Sequence, residues 1–313
     1  MPESATTSVR GRLAATQGWL LAPATEEVPR AQAVGAASLR ILVGLMWLYN
    51  VSWKRAPDFG QDAGNGLYKF TSYAVSNPVF PPYSWVVEHL VLPAFTPFGW
   101  LVLAAETALA VLLLTGTWVR VAAAVGVAQS LAIALSVAYA PNEWPWSYWL
   151  MIGAHGVLLV SSAGRVLAVD AIRAGLSSPR TLGQVWGAAS VVIGLYSVVT
   201  SLNDPLAARG TGLASSDLSV SLGFYNLLGG LVLVAAGALL LAAARGAGPT
   251  AARVAAGLAA AAGLSLHVQL GFTDPVLGGT ASSAAFLFAL ALVSAAAGAL
   301  IGRPTASTRD GST

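Results

Sequence analysis

PFGWLVLAAETALAVLLLTG, residues 97–116, holds one ionisable side chain, Glu106, in an otherwise apolar run. About 20 such residues, as a helix, cross roughly 30 Å of hydrocarbon. Further stretches of the same kind run over about 32–53, 120–140, 146–164, 184–203, 223–244, 251–271 and 281–301. Lipid offers no partner to free backbone groups, so each stretch is predicted to be a helix. The expected fold is an all-α integral membrane protein with about eight transmembrane helices.

Composition points the same way. The 313 residues are 56% hydrophobic and only 9% charged, against about 25% charged in soluble domains. Mean hydropathy is +0.70. These values exclude an ordinary soluble globular protein. With no Cys, disulfides, thiolate metal sites, iron–sulfur clusters, covalent haem and a cysteine nucleophile are excluded too. The net charge of +3 is too dispersed along the chain to suggest nucleic acid. The opening MPESATTSVRGRLAATQGWL lacks the long apolar core of a signal peptide.

The placement of basic residues predicts orientation. With the N-terminus inside, Arg10, Arg12, Arg30, Arg120 and Arg165 fall on the cytoplasmic side, as do Arg173, Arg180, Arg245, Arg253, Arg303 and Arg309. Only Lys54, Arg55, Lys69 and Arg209 fall outside. Both termini are therefore expected in the cytoplasm, in a bacterial-type plasma membrane. The predicted organisation is a cytoplasmic tail 1–30, a four-helix domain 31–175, a second four-helix half 176–302 and a tail 303–313. The long outer connection, 54–96, is aromatic-rich and expected to form an ordered cap. In it SWVVEHLVLPAF, residues 84–95, reads as a short interfacial helix with Glu88 and His89 facing water.

A weak repeat is visible. QAVGAAS (32–38) recurs as QVWGAAS (184–190), and LVLAAETAL (101–109) resembles LVLVAAGAL (231–239). Either the halves arose by duplication, or Ala-rich helices match by chance. Under duplication, Val192 stands where the first half has Arg40, and Ala236 where it has Glu106, leaving the polar equipment in the first half.

Ionisable groups within spans are costly and mark functional sites by default. The first four spans contain Arg40, Glu106, Gln129 and His155. Each lies nine or ten residues from the inner end of its span, which at 1.5 Å per residue is about 15 Å of depth. A single plane of four polar groups near the bilayer centre is expected. It can be read as an Arg40–Glu106 ion pair that fixes helix register, with Gln129 and His155 as hydrogen-bonding partners. It can also be read as a site for a quinone headgroup, held by Arg40 and His155, with Glu106 handling a proton. A proton or ion path is the third reading. Asn50, Trp53 and Lys54, with Asp58, could line the access route. No metal site is inferred, and no haem, since His89 and His267 lie near the outer face. Asn203, Asp204, Tyr225, Asn226, His267 and Asp274 form an outer polar rim of the kind helix ends normally carry. Asp170 and Arg173, three apart, can meet on a short helix.

These residues carry a resemblance. Arg40 with Trp53–Lys54, then Glu106 followed by Leu114, Gly116 and Arg120, and the G-R-x-L-x-x-D element Gly164, Arg165, Leu167 and Asp170, resemble the DoxX-like family over about 31–175. The length and second half are similar to the larger DoxD-type relatives, membrane subunits of thiosulfate:quinone oxidoreductase. The resemblance implies a quinone-linked oxidoreductase subunit, with quinone as cofactor and a partner subunit supplying the redox centre that this chain lacks. The alternative is a non-enzymatic membrane scaffold or small-molecule carrier whose polar layer is structural.

Overall fold

A computed structural model describes residues 9–301. Residues 1–8, the expected tail 303–313 with Arg303 and Arg309, and the side chain of Arg10 lie outside the described residues. The chain separates into two compact units, residues 1–174 and 175–313.

In the first unit α1 (Val9–Leu21) precedes α2 (Arg30–Ser52), followed by α3 (Gly66–Ser76), α4 (Pro81–Val86), α5 (Phe95–Thr115), α6 (Val119–Val137), α7 (Pro145–Val160) and α8 (Val169–Arg173). Four long helices close a ring in which α2 and α6 each pack against both α5 and α7. The second unit repeats this arrangement with α9 (Pro179–Thr200), α10 (Leu227–Ala242), α11 (Pro249–Gln269) and α12 (Ala281–Leu300). There α9 and α11 each pack against α10 and α12. Both QxxGAAS segments lie early in the first helix of their ring, and both LVL segments in the second. Its one sheet among the described residues is a two-stranded antiparallel hairpin, β1 (Ala214–Ser215) with β2 (Val220–Ser221).

Among the described residues seven helices are long and apolar enough to cross a membrane. The protein is thus an all-α, multi-pass membrane protein, as expected. The fourth expected span, 146–164, is shorter than expected. Its helix α7 stops at Val160 after 16 residues, about 24 Å, because the chain turns extended at Ser161. The interfacial helix is also revised. Helical turns follow one another from Pro81 to Thr115, with a wide turn at Val87–Val91, a tight one at Leu92–Ala94 and a non-helical Ala94 (φ −117°, ψ 44°) where α5 begins. Glu88 and His89 are exposed, as expected, and the His89 ring stacks on Trp85.

The cap over the outer end is ordered by its aromatics. α3 buries Leu67, Thr71 and Ala74 on one face, the i, i+4, i+7 stripe of an amphipathic helix, and packs on α6. Trp53 meets Phe70 edge-on, and Tyr68 meets Phe95. Phe59 is buried against Gly99, where an added Cβ would come within 2.2 Å of its ring.

In the second unit the closest approach is between α9 and α10. A Cβ on Gly194 would lie 2.8 Å from the Gly230 carbonyl oxygen, and one on Gly237 2.9 Å from that of Gly187. Small residues of this kind let membrane helices pack backbone to backbone. The outer rim residues there are architectural: Asn226 caps α10 by accepting from the Gly229 N–H and donates to the Val276 carbonyl. Tyr225 is buried and donates to the Ser283 carbonyl, and that burial pushes its phenol pKa upward. Asn203, Asp204 and Asp274 are exposed.

Candidate functional site

The expected plane of four polar groups does not form, and Arg40 does not pair with Glu106. Arg40 is fully buried, but its guanidinium lies at the end of the bundle where α5 stops. Nη1 donates to the carbonyls of Leu113 (2.6 Å) and Leu114 (3.2 Å), and Nη2 to those of Val166 (3.2 Å) and Leu167 (2.9 Å). The last carbonyls of a helix have no partner within it, and a planar fork of donors suits them. Gly116 closes α5 in the left-handed region, φ 66°, and a Cβ there would come within 2.5 Å of Arg40 Nη1. Glycine is required on both counts.

The other motif residues at this end are also structural. Buried Asp170 accepts from the N–H groups of Trp118 and Val119, each at 3.2 Å, and so caps the first turn of α6. It meets Arg173 at 3.5 Å, as their spacing predicts. Burial raises the pKa of Asp170, partly offset by those N–H groups and by Arg173. Arg120 pairs with Glu26, and Arg165 donates to the carbonyls of Thr25 (2.8 Å) and Glu26 (3.1 Å).

Glu106 finds its cation in Lys54. The two form a buried ion pair, their side chains 2% and 1% exposed. Gln129 Nε2 donates to the other Glu106 oxygen at 3.2 Å. Lys54 Nζ also donates to the Asn50 carbonyl at 3.1 Å and sits 4.1 Å from the centre of the Trp53 ring. Trp53 Nε1 donates to Asn50 Oδ1 at 3.2 Å. Asn50, Trp53, Lys54, Glu106 and Gln129, all singled out in the sequence, thus form one cluster joining α2, α5 and α6. Trp53, Asn50 and Gln129 are half-buried, so the buried pair has an accessible edge. Asp58 instead accepts from the Asp62 N–H within its own turn.

His155 belongs to a second, separate group. Trp47 Nε1 donates to His155 Nε2 at 2.9 Å. Since an indole N–H can only donate, Nε2 is the acceptor, and the ring proton sits on Nδ1. That nitrogen faces the Met151 carbonyl at 2.8 Å and Ser130 Oγ at 3.4 Å. Both ring nitrogens are therefore engaged inside the protein. A Cβ on Gly126 would lie 2.0 Å from the imidazole, so α6 makes room for it only as glycine. Trp47, Gly126 and Ser130 were not singled out in the sequence. The available signal was the small pair Gly126 and Ser130, four apart on the face of α6 that meets α7.

A buried ammonium–carboxylate pair with an adjoining amide can bind a polar headgroup and can take up or release a proton at Glu106. Among the described residues no group of three or more His, Asp and Glu gathers as metal ligands would. No protein-family model, no curated protein and no solved structure matches this chain.

Proposed function

We propose that the chain is a quinone-interacting membrane subunit of an oxidoreductase, and that its headgroup site is the Lys54–Glu106–Gln129 cluster. The observation that carries the reading is Glu106, buried within a span, paired with a buried Lys54 just past the end of α2 and bordered by half-buried Gln129 and Trp53. A full ion pair in hydrocarbon is expensive to keep, and pure helix packing does not need one. The resemblance of residues 31–175 to DoxX-like proteins supports the same reading, including a thiosulfate:quinone type of reaction and a partner subunit as the source of electrons.

The residues present suit a quinone headgroup. Gln129 and the Lys54 ammonium can donate to carbonyl oxygens, and the Trp53 face can cover a flat ring. The quinone itself supplies the two-electron chemistry. Glu106 would accept a proton from a headgroup hydroxyl during quinol oxidation and return it in the reverse direction, while its ion pair with Lys54 holds the carboxyl group in position. Arg40 and His155 take no part, since both Nη groups of Arg40 and both ring nitrogens of His155 are engaged within the protein.

The test is the quinone content of protein purified from its own membranes. Wild type is expected to carry near-stoichiometric quinone. Gln129→Leu should lose it while keeping its helix content. Quinone at the level of the surrounding lipid in wild type would overturn the reading. The engagement of Arg40 and His155 favours one alternative, a non-enzymatic scaffold or small-molecule carrier. That alternative expects no quinone in either protein.

A further inference from the structure

The two ends of the four-helix ring in the first unit are built differently. At the α8 end the backbone itself forms a plug. Arg40 ties the last carbonyls of α5 to those of Val166 and Leu167, and Ala163, Ala168 and Val169 of the same segment are buried. A Cβ on Gly116 would lie 2.4 Å from that of Ala168. Just inside the plug α2 and α5 meet closely, since a Cβ on Gly44 would lie 2.9 Å from the Leu114 backbone nitrogen. From there to Glu106, the α5 residues Leu109, Ala110 and Leu113 are fully buried. Trp47 and His155, the polar pair on this side, are fully buried too and bonded within the ring. Packing of this kind leaves few voids as large as a water molecule.

At the cap end the packing loosens around polar side chains. Lys54 stands just past the end of α2, and Asn50, Trp53 and Gln129, which border its pair with Glu106, are half-buried. Trp53 leans on Phe70, whose ring is exposed on α3. Beyond them the cap carries exposed Arg55, Asp62 and Lys69. Ionisable groups inside a membrane protein pair with one another or face a water-filled opening. Lys54 and Glu106 do the first, and their half-buried border permits the second on the cap side.

We infer that the Lys54–Glu106 pair is in contact with water on the cap side alone, along the border of Asn50, Trp53 and Gln129, and exchanges protons only with that compartment. The groups facing the carboxyl are Lys54 from the end of α2 and Gln129 from α6. The use of this route rests on the quinone reading. A proton that reaches Glu106 from a headgroup leaves as hydronium on the cap side, and the carboxylate is restored beside Lys54. Proton transfer at the site is then vectorial.

The chain has no Cys, so single cysteines can be placed in the full-length protein in sealed vesicles. A charged, membrane-impermeant methanethiosulfonate reacts with the thiolate, a form that needs water. Asp62→Cys marks the cap side and Ala174→Cys the α8 side, both at exposed positions. Asn50→Cys and Gln129→Cys should react from the Asp62 side only. Ala110→Cys, one turn from Glu106 toward the plug, should stay unmodified from either side. Asn50→Cys leaves Lys54, Glu106 and Gln129 in place, so it reports even where Gln129→Cys fails to fold. Reaction from the Ala174 side overturns the inference. So does reaction with a lipid-soluble maleimide alone, which would open the pair to hydrocarbon, and so does protection from both reagents. The labelling needs no bound quinone. A wild type without quinone therefore removes the proposed use of the route, while the labelling pattern decides the route itself.

Discussion

Lys54 and Glu106 bring no net charge into the bilayer, yet each depends on the other. Removing one partner of a buried pair leaves an uncompensated charge and costs about 3–5 kcal/mol. Lys54→Met and Glu106→Gln should each lower the unfolding free energy in detergent by that amount. The double variant should lose far less than the sum, because no charge is left unpaired. Additive losses would mean that the two groups are not coupled in solution. His155 gives the contrasting case. Trp47→Phe deletes the indole N–H and leaves a buried imidazole nitrogen without its donor, at a cost of about 1–3 kcal/mol. That variant should melt earlier than wild type while keeping its quinone, whereas Gln129→Leu, which also removes a donor to the buried Glu106, should lose the quinone. Loss of quinone in Trp47→Phe would extend the site to the second polar group.

At the scale of elements, α8 exists to present Asp170 to the start of α6. The pKa of this carboxyl is raised above its ordinary 3.8, chiefly by burial. The folded state therefore holds the proton more tightly than the unfolded state. Its stability contribution is fully present below pH 3.8 and is lost as pH rises through the raised folded value. Asp170→Asn should flatten that part of a plot of unfolding midpoint against pH. An unchanged slope would assign it to another group. The same region shows what was readable beforehand. The spans were legible because hydrocarbon thickness demands long apolar runs, and the Asp170–Arg173 contact was legible because three residues is less than one helical turn. The partners of Arg40 and Lys54 were not, because depth was counted at Cα. Side chains lean toward the N-terminus of their own helix. Arg40 therefore reaches toward the end where α2 begins, and Lys54 reaches back one turn into the bundle. Glu106, on the oppositely directed α5, leans outward to meet it. Applied to these three residues, that one rule would have replaced the expected Arg40–Glu106 pair with the observed Lys54–Glu106 pair. Trp47 escaped notice because an apolar run hides an indole that donates.

At the scale of the whole molecule, the two units repeat one ring of four helices with different contents. The first ring encloses an ion pair, an amide and an imidazole, each joined to a neighbouring helix. In the second, the positions matching Arg40 and Glu106 are Val192 and Ala236, and α9 and α10 meet through glycines instead. Close backbone packing needs no polar group to fix register, so the second ring is complete without one. The polar chemistry is expected to reside entirely in residues 1–174. The exposed stretch around Gly175 and Leu176 offers a place to divide the chain. Residues 1–174 expressed alone should insert, retain helix content by circular dichroism and carry the quinone. Residues 175–313 should insert and remain helical without any. Quinone recovered only when both pieces are expressed together would show that the second unit completes the site, and would remove the case for treating it as an architectural copy.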